Sequence, residues 1–143
     1  MGLFLLSSTS CHRKGCTDPK ANNYDSKSKK DDNSCNYDRD KLIGSYYMLE
    51  DCNGEFNYSL TISEKTDDAS YVLLNNIGGW TINVSIPALV DGDNLSFDDH
   101  YEGFHFQGTG TYDSATKKLT LEYQSWDANN EPISSCTSSG TKQ

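Results

Sequence analysis

Cysteine is the residue type with the most definite chemistry in this chain. It occurs at Cys11, Cys16, Cys35, Cys52 and Cys136. A cysteine sulfur pairs, ligates metal or acts as a nucleophile, and spacing and context decide which. Zinc ligation is disfavoured between Cys16 and Cys35, because the interval is long and holds no histidine. An odd number leaves one cysteine to explain, since four can pair completely. Paired cysteines would place the chain in an oxidising compartment: periplasm, cell surface or medium.

Oxygen and nitrogen donors come next. Asp18, Asp25, Asp31 and Asp32 offer hard carboxylate oxygens of the kind Ca²⁺ prefers. Their spacing is not that of an EF-hand loop, and the same residues cap turns. His12, His100 and His105 are the three histidines, and Asp98-Asp99-His100 is read as an acidic loop that offers a metal or acid–base group. No nucleophile elbow, zinc-protease helix or glycine-rich phosphate loop occurs. No catalytic residue and no enzyme activity is expected.

The elements that would position these groups fall into two parts. Residues 12–41 form a polar spacer whose stretch 15–35 has no large aliphatic residue and only Tyr24 as an aromatic. It is turn chemistry throughout and cannot bury a core. From residue 42 the pattern becomes short alternating runs: 42–50, 55–63, 69–75, 79–86, 94–99, 102–112, 117–126 and 132–139, with 88–91 read as a bend. Phe56, Tyr58, Leu60 and Ile62 alternate with polar residues, as do Ile82, Val84 and Ile86, Phe104 and Phe106, and Leu119, Leu121 and Tyr123. One wet and one buried face indicates antiparallel sheet. Gly108 and Gly110 suggest a bend or bulge in a long strand. Cys52 ends the first run and Cys136 lies in the last. A bridge between them would favour closure of first strand on last, an up-and-down barrel, although a β-sandwich also brings them together.

Charge is uneven. The chain carries −9 overall, with residues 1–41 near +2 and residues 42–143 near −11. Such a domain repels phosphate backbones, so nucleic-acid binding is not expected. A basic protein partner is compatible with it.

Three resemblances add to this reading. The opening MGLFLLSSTSC, an apolar run, small residues and then Cys11, resembles a bacterial lipoprotein signal, although Ser8 stands where Leu is usual and no positive leading region occurs. It implies that residues 1–11 are signal and anchor, with Cys11 lipidated before cleavage and holding the chain to a membrane. The run Gly15-Cys16-Thr17-Asp18-Pro19-x-Ala21-x-Asn23-Tyr24, then Asp31-Asp32-x-Ser34-Cys35, resembles a small cysteine-paired repeat of surface proteins from Bacteroidetes-type bacteria. It implies a Cys16–Cys35 bridge, with Asn33 at a turn where the repeat has Gly. From residue 42 onward the chain is similar to lipocalin-like (calycin-type) barrels. Gly44-x-Tyr46 echoes their Gly-x-Trp; no Arg follows Arg39, where lipocalins pack a late Arg over the ring.

The expectation is therefore all-β: an eight-stranded antiparallel up-and-down barrel behind a disulfide-closed loop module, with Cys16, Cys35, Cys52 and Cys136 as the disulfide cysteines. The protein is expected to be a monomeric lipoprotein, secreted or held at the bacterial outer membrane, cell surface or periplasm. Tyr46, Tyr58, Trp80, Phe104, Phe106, Tyr123 and Trp126 are the candidates for an aromatic pocket that takes a small apolar or sugar-like ligand. The rival is a filled barrel acting as an interaction module, and a barrel-interior hydrolase or isomerase ranks third.

Overall fold

A computed structural model describes residues 12–80 and 84–143. The lipidation site expected at Cys11 lies outside the described residues, as do Ile82 and Asn83. The chain divides between Tyr37 and Asp38 into two compact units. That is four residues before the expected boundary, because the 3₁₀ turn Asp38–Lys41 contributes to the second unit.

In the first unit, Cys16 and Cys35 form a disulfide. Around it the backbone is held by side chains rather than by a core. Asp18, Asp25, Asp31 and Asp32 each accept a backbone N–H two residues on. This is the Asx-turn chemistry that the composition implies. Asn33 adopts φ 60°, the left-handed conformation that Asn tolerates in place of Gly. Tyr37 Oη donates to Asp18 Oδ2 at 2.7 Å, and Arg13 pairs with Asp25 at 2.9 Å.

The second unit is a closed antiparallel barrel in which every strand pairs with its sequence neighbours. Its strands are β1 Gly44–Asp51, β2 Glu55–Glu64, β3 Tyr71–Asn75, β4 Ser85–Asp91, β5 Asn94–Tyr101, β6 Phe104–Asp113, β7 Lys118–Trp126 and β8 Pro132–Lys142. β1 pairs with β8 from Tyr46↔Lys142 to Asp51↔Thr137, so the sheet has no free edge and is not a sandwich. Cys52 and Cys136 form the second disulfide across this seam.

Alternation builds the core. Tyr46 and Met48 of β1, Leu60 and Ile62 of β2, Ile86 and Ala88 of β4, and Leu119 and Leu121 of β7 are buried among side chains from the other strands. Each fully buried large aliphatic contributes about 1.5–3 kcal/mol by leaving water. Gly108 and Gly110 face inward, and no register shift occurs there. They are not a bulge: a Cβ on Gly108 would stand 2.4 Å from Tyr123 Cβ, so glycine makes room for the tyrosine. The irregularity in the sheet lies instead between Ser125 and Trp126, opposite Ile133.

Two further expectations change. Residues 88–91 are not a bend but part of β4, pairing with both β3 and β5. The run expected at 79–86 is not one strand, because Asn76, Gly78 and Gly79 have positive φ and turn the chain through a 3₁₀ turn, Ile77–Gly79. Likewise Asp98, Asp99 and His100 lie within β5 rather than in a loop.

The end of the barrel that carries both the 3₁₀ turn Asp38–Lys41 and the β2–β3 connection is closed by Arg39. Its guanidinium donates to the carbonyls of Lys65 (2.6 Å), Asp68 (2.9 Å) and Tyr71 (3.2 Å), and pairs with Glu64 at 3.1 Å. An arginine that precedes the first strand thus ties down a loop. Tyr46 Oη donates to Leu42 carbonyl at 2.7 Å, and its ring meets Tyr112 edge-on. Burial pushes the Tyr46 phenol pKa up, with the neighbouring Tyr112 adding to the effect.

Candidate functional site: a packed lumen and an outer groove

The lumen toward the opposite end holds a buried carboxylate. Glu50 follows Tyr46 and Met48 at the next inward position of β1 and is 1 % exposed. Tyr123 Oη lies 2.9 Å from both Glu50 oxygens, and Tyr58 Oη lies 3.1 Å from Ser138 Oγ. Burial raises the Glu50 pKa above its ordinary value, and hydrogen bonds from Tyr123, Tyr58 and Ser138 oppose that rise. Burial and the Glu50 charge push both phenols up. Glu50, Cys52 and Cys136 are the one group of three or more potential metal-binding side chains gathered together among the described residues. Their sulfurs are bonded to each other, so neither is a thiolate ligand. The four spacer aspartates do not gather.

The turn Ile77–Gly79 covers this cluster. A Cβ on Gly78 would stand 2.8 Å from Tyr123 Oη, and one on Gly79 would stand 2.7 Å from Tyr58 Cβ. Ile77 is buried, and Trp80 packs edge-on against Phe104 and Phe106 at ring separations of 5.1 and 5.5 Å. Asn76 Nδ2 anchors the turn to Ser59 carbonyl at 2.7 Å. A carboxyl and two phenols are the ingredients of proton transfer, but under this cover they form a buried polar crosslink between β1, β2, β7 and β8.

The seven aromatic candidates therefore do not form one pocket. Tyr46 lies at the closed end. Tyr58, Phe106 and Tyr123 belong to the packed core, and Trp80 and Phe104 flank the covering turn. Trp126, beyond the alternation of Leu119, Leu121 and Tyr123, faces outward.

Concavity lies on the outside. A groove of about 880 Å³ crosses the outer face of the sheet from β3 to β8. Strand register explains its shape. One outward row is Ser96, Thr109, Glu122 and Thr137, and the next is Asp98, Gln107, Gln124 and Ser135. Between them the inward residues Phe97, Gly108, Tyr123 and Cys136 turn their backbone outward and form the floor. Tyr71, Pro87 and Leu89 lie at the β3–β4 end. Six strands at the usual spacing make the groove about 24 Å long, measured around the curved outer surface of the barrel. Its carboxylates are Asp98, Asp99 and Glu122, and no Lys or Arg lines it among the described residues.

A third outward row carries rings. His105 stacks between His100 (4.4 Å, 7°) and Trp126 (4.7 Å, 24°). Asp98 Oδ1 lies 2.7 Å from His105 Nε2, and Gln107 Nε2 donates to Asp98 Oδ2 at 3.0 Å. The His105 contact, with help from Gln107, holds the Asp98 carboxyl below its ordinary pKa. The rings thus form a braced stack rather than a chelating set. Beside Trp126 a smaller hollow of about 260 Å³ opens toward β8.

Glu50 and the outer rows were not singled out from the sequence. The signal for Glu50 was its parity with Tyr46 and Met48. The rows need the strand register, which no single run contains. The chain matches no protein-family model and no curated protein.

Proposed function

We propose that this protein is a non-catalytic extracytoplasmic binding module, with a packed lipocalin-like barrel as scaffold and its ligand surface on the outer face of β3–β8. The observation that carries this reading is the contrast between a lumen filled by buried side chains under Ile77–Gly79 and a long groove outside. Two disulfides support an oxidising compartment. The order of residues before Cys11 supports a lipid anchor, with the spacer as a core-free, cross-linked link between anchor and barrel.

A titration with a fluorescent fatty acid tests the scaffold part. The expected result is no saturable one-to-one binding. Saturable binding that is lost on replacing Ala88 by Phe, which adds bulk to the lumen, would reverse the reading in favour of a luminal ligand.

A second reading is favoured by the groove's charge. Asp99 and Glu122, with Asp98 already held by His105 and no Lys or Arg among the described lining residues, suit a Lys- or Arg-rich partner segment. Salt-sensitive binding of an oligolysine peptide, weakened in Glu122→Gln, would support it. Unchanged binding in that variant would count against it.

A further inference from the structure

We propose that the hollow beside Trp126 is a carbohydrate subsite that seats one neutral sugar ring. This deepens the outer-face reading and rests on it. The hollow holds about 260 Å³ and borders Asn53, Gln124, Trp126, Pro132, Ile133 and Ser135. That volume lies below the range of pockets for drug-sized ligands, which run to about 300–1,000 Å³, and suits a single ring.

Its lining chemistry has two halves. Trp126, Pro132 and Ile133 supply apolar surface, while two amides and the Ser135 hydroxyl supply donors and acceptors; the hydroxyls of Ser125 and Ser134, which also border the hollow, are bonded to each other. A pyranose has the complementary halves: a C–H face and a rim of hydroxyls. Among the described residues, no ionisable side chain lines the hollow, which disfavours selection of an anion or a cation. Among the described residues, the side chains of Asn53 and Gln124 make no hydrogen bond to protein, which leaves both amides available.

The platform is held in place before any ligand arrives. One face of Trp126 rests on His105, which is itself backed by His100 and tied to Asp98. Trp126 lies on β7 between β6 and β8, opposite Pro132 in register, and both residues border the hollow. Asn53 is placed by the second disulfide: its neighbour Cys52 is bonded to Cys136, which is the next residue after Ser135. Preorganisation of this kind lowers the ordering cost of binding. Gln124 and Ser135 border both the hollow and the long groove. An oligosaccharide therefore has a continuous path from the Trp126 platform along Gln107 and Thr109, and affinity is expected to rise with chain length.

The test uses the oxidised protein with Trp80→Phe, which leaves Trp126 as the reporter tryptophan. It is titrated with cello-, xylo-, malto- and chito-oligosaccharides at up to millimolar concentration. Ligand-observed saturation-transfer NMR on the unmodified protein runs in parallel and does not depend on that variant folding. The expected result is saturable quenching or enhancement by at least one series, tightening with length. Trp126→Ala is expected to abolish it with a small fall in melting temperature from the lost His105 stack, and Asn53→Ala with Gln124→Ala to weaken it about tenfold without such a fall. Trp126→Phe keeps part of the platform and is expected to retain partial affinity.

Absence of binding by every series overturns the subsite. So does binding that survives Trp126→Ala. If oligolysine binds the groove while the sugars do not, the subsite fails and the outer-face reading stands. If sugars bind but shift the side-chain methyl resonances of core residues such as Leu60 and Ile62, the outer-face reading fails as well.

Discussion

Replacing both Cys52 and Cys136 by alanine should release the cross-link that restricts the unfolded chain and so destabilise the barrel. The bridge joins residues 84 apart in sequence and spans nearly all of the strands. A loop of that size has a chain-entropy value of about 4.5 kcal/mol at 25 °C. Residual structure in the unfolded chain lowers that figure, so a loss of about 3–4.5 kcal/mol is expected. A barrel unit of roughly 100 residues loses about 4 °C in melting temperature per kcal/mol, so the midpoint should fall by ~12–18 °C. Urea unfolding followed by tryptophan fluorescence, at neutral pH and without reductant, measures it directly. The native fold should persist, because β1 and β8 still share six register pairs from Tyr46 to Asp51. A loss below about 1 kcal/mol would refute the reasoning, since strand pairing alone would then account for closure.

Other outcomes follow from the same geometry. Glu50 has a folded pKa raised by burial, so its contribution favours the fold at acid pH and is lost as pH rises through the folded value from the ordinary 4.5. Glu50→Gln should therefore flatten the fall in urea midpoint between mildly acid and neutral pH; an unchanged pH profile would contradict the assignment. Gly108→Ala forces a Cβ against Tyr123 Cβ at 2.4 Å and Glu122 carbonyl at 2.5 Å, with an expected cost of about 1–3 kcal/mol in the same assay. Arg39→Met leaves the carbonyls of Lys65, Asp68 and Tyr71 without their shared donor and should cost about 2–4 kcal/mol, with faster hydrogen exchange across residues 64–71.

Much of the barrel was legible because inward and outward residues differ so clearly. Strand β2 reads Tyr58, Leu60, Ile62 against Asn57, Ser59, Thr61, and the fold follows that alternation closely. The placement of Cys52 and Cys136 in the first and last runs anticipated the closing seam. The β3–β4 connection was not legible, since the apolar run beyond it reads as one extended element. Only backbone conformation reveals that Asn76, Gly78 and Gly79 turn the chain back over the lumen. Trp126 was grouped with the pocket aromatics by type, although its parity with Gln124 rather than Tyr123 already put it outside. The groove depends on four strands bringing small and amide side chains into adjacent rows. Such rows are set by pairing register, which emerges only when the sheet closes.

The packed lumen is the premise on which the outer-face account depends, and native mass spectrometry of residues 12–143 purified from an oxidising compartment tests it most directly. The account predicts a mass four hydrogens below the reduced chain, for two disulfides, with no retained small molecule. A retained apolar molecule, released only when the barrel unfolds, would contradict it.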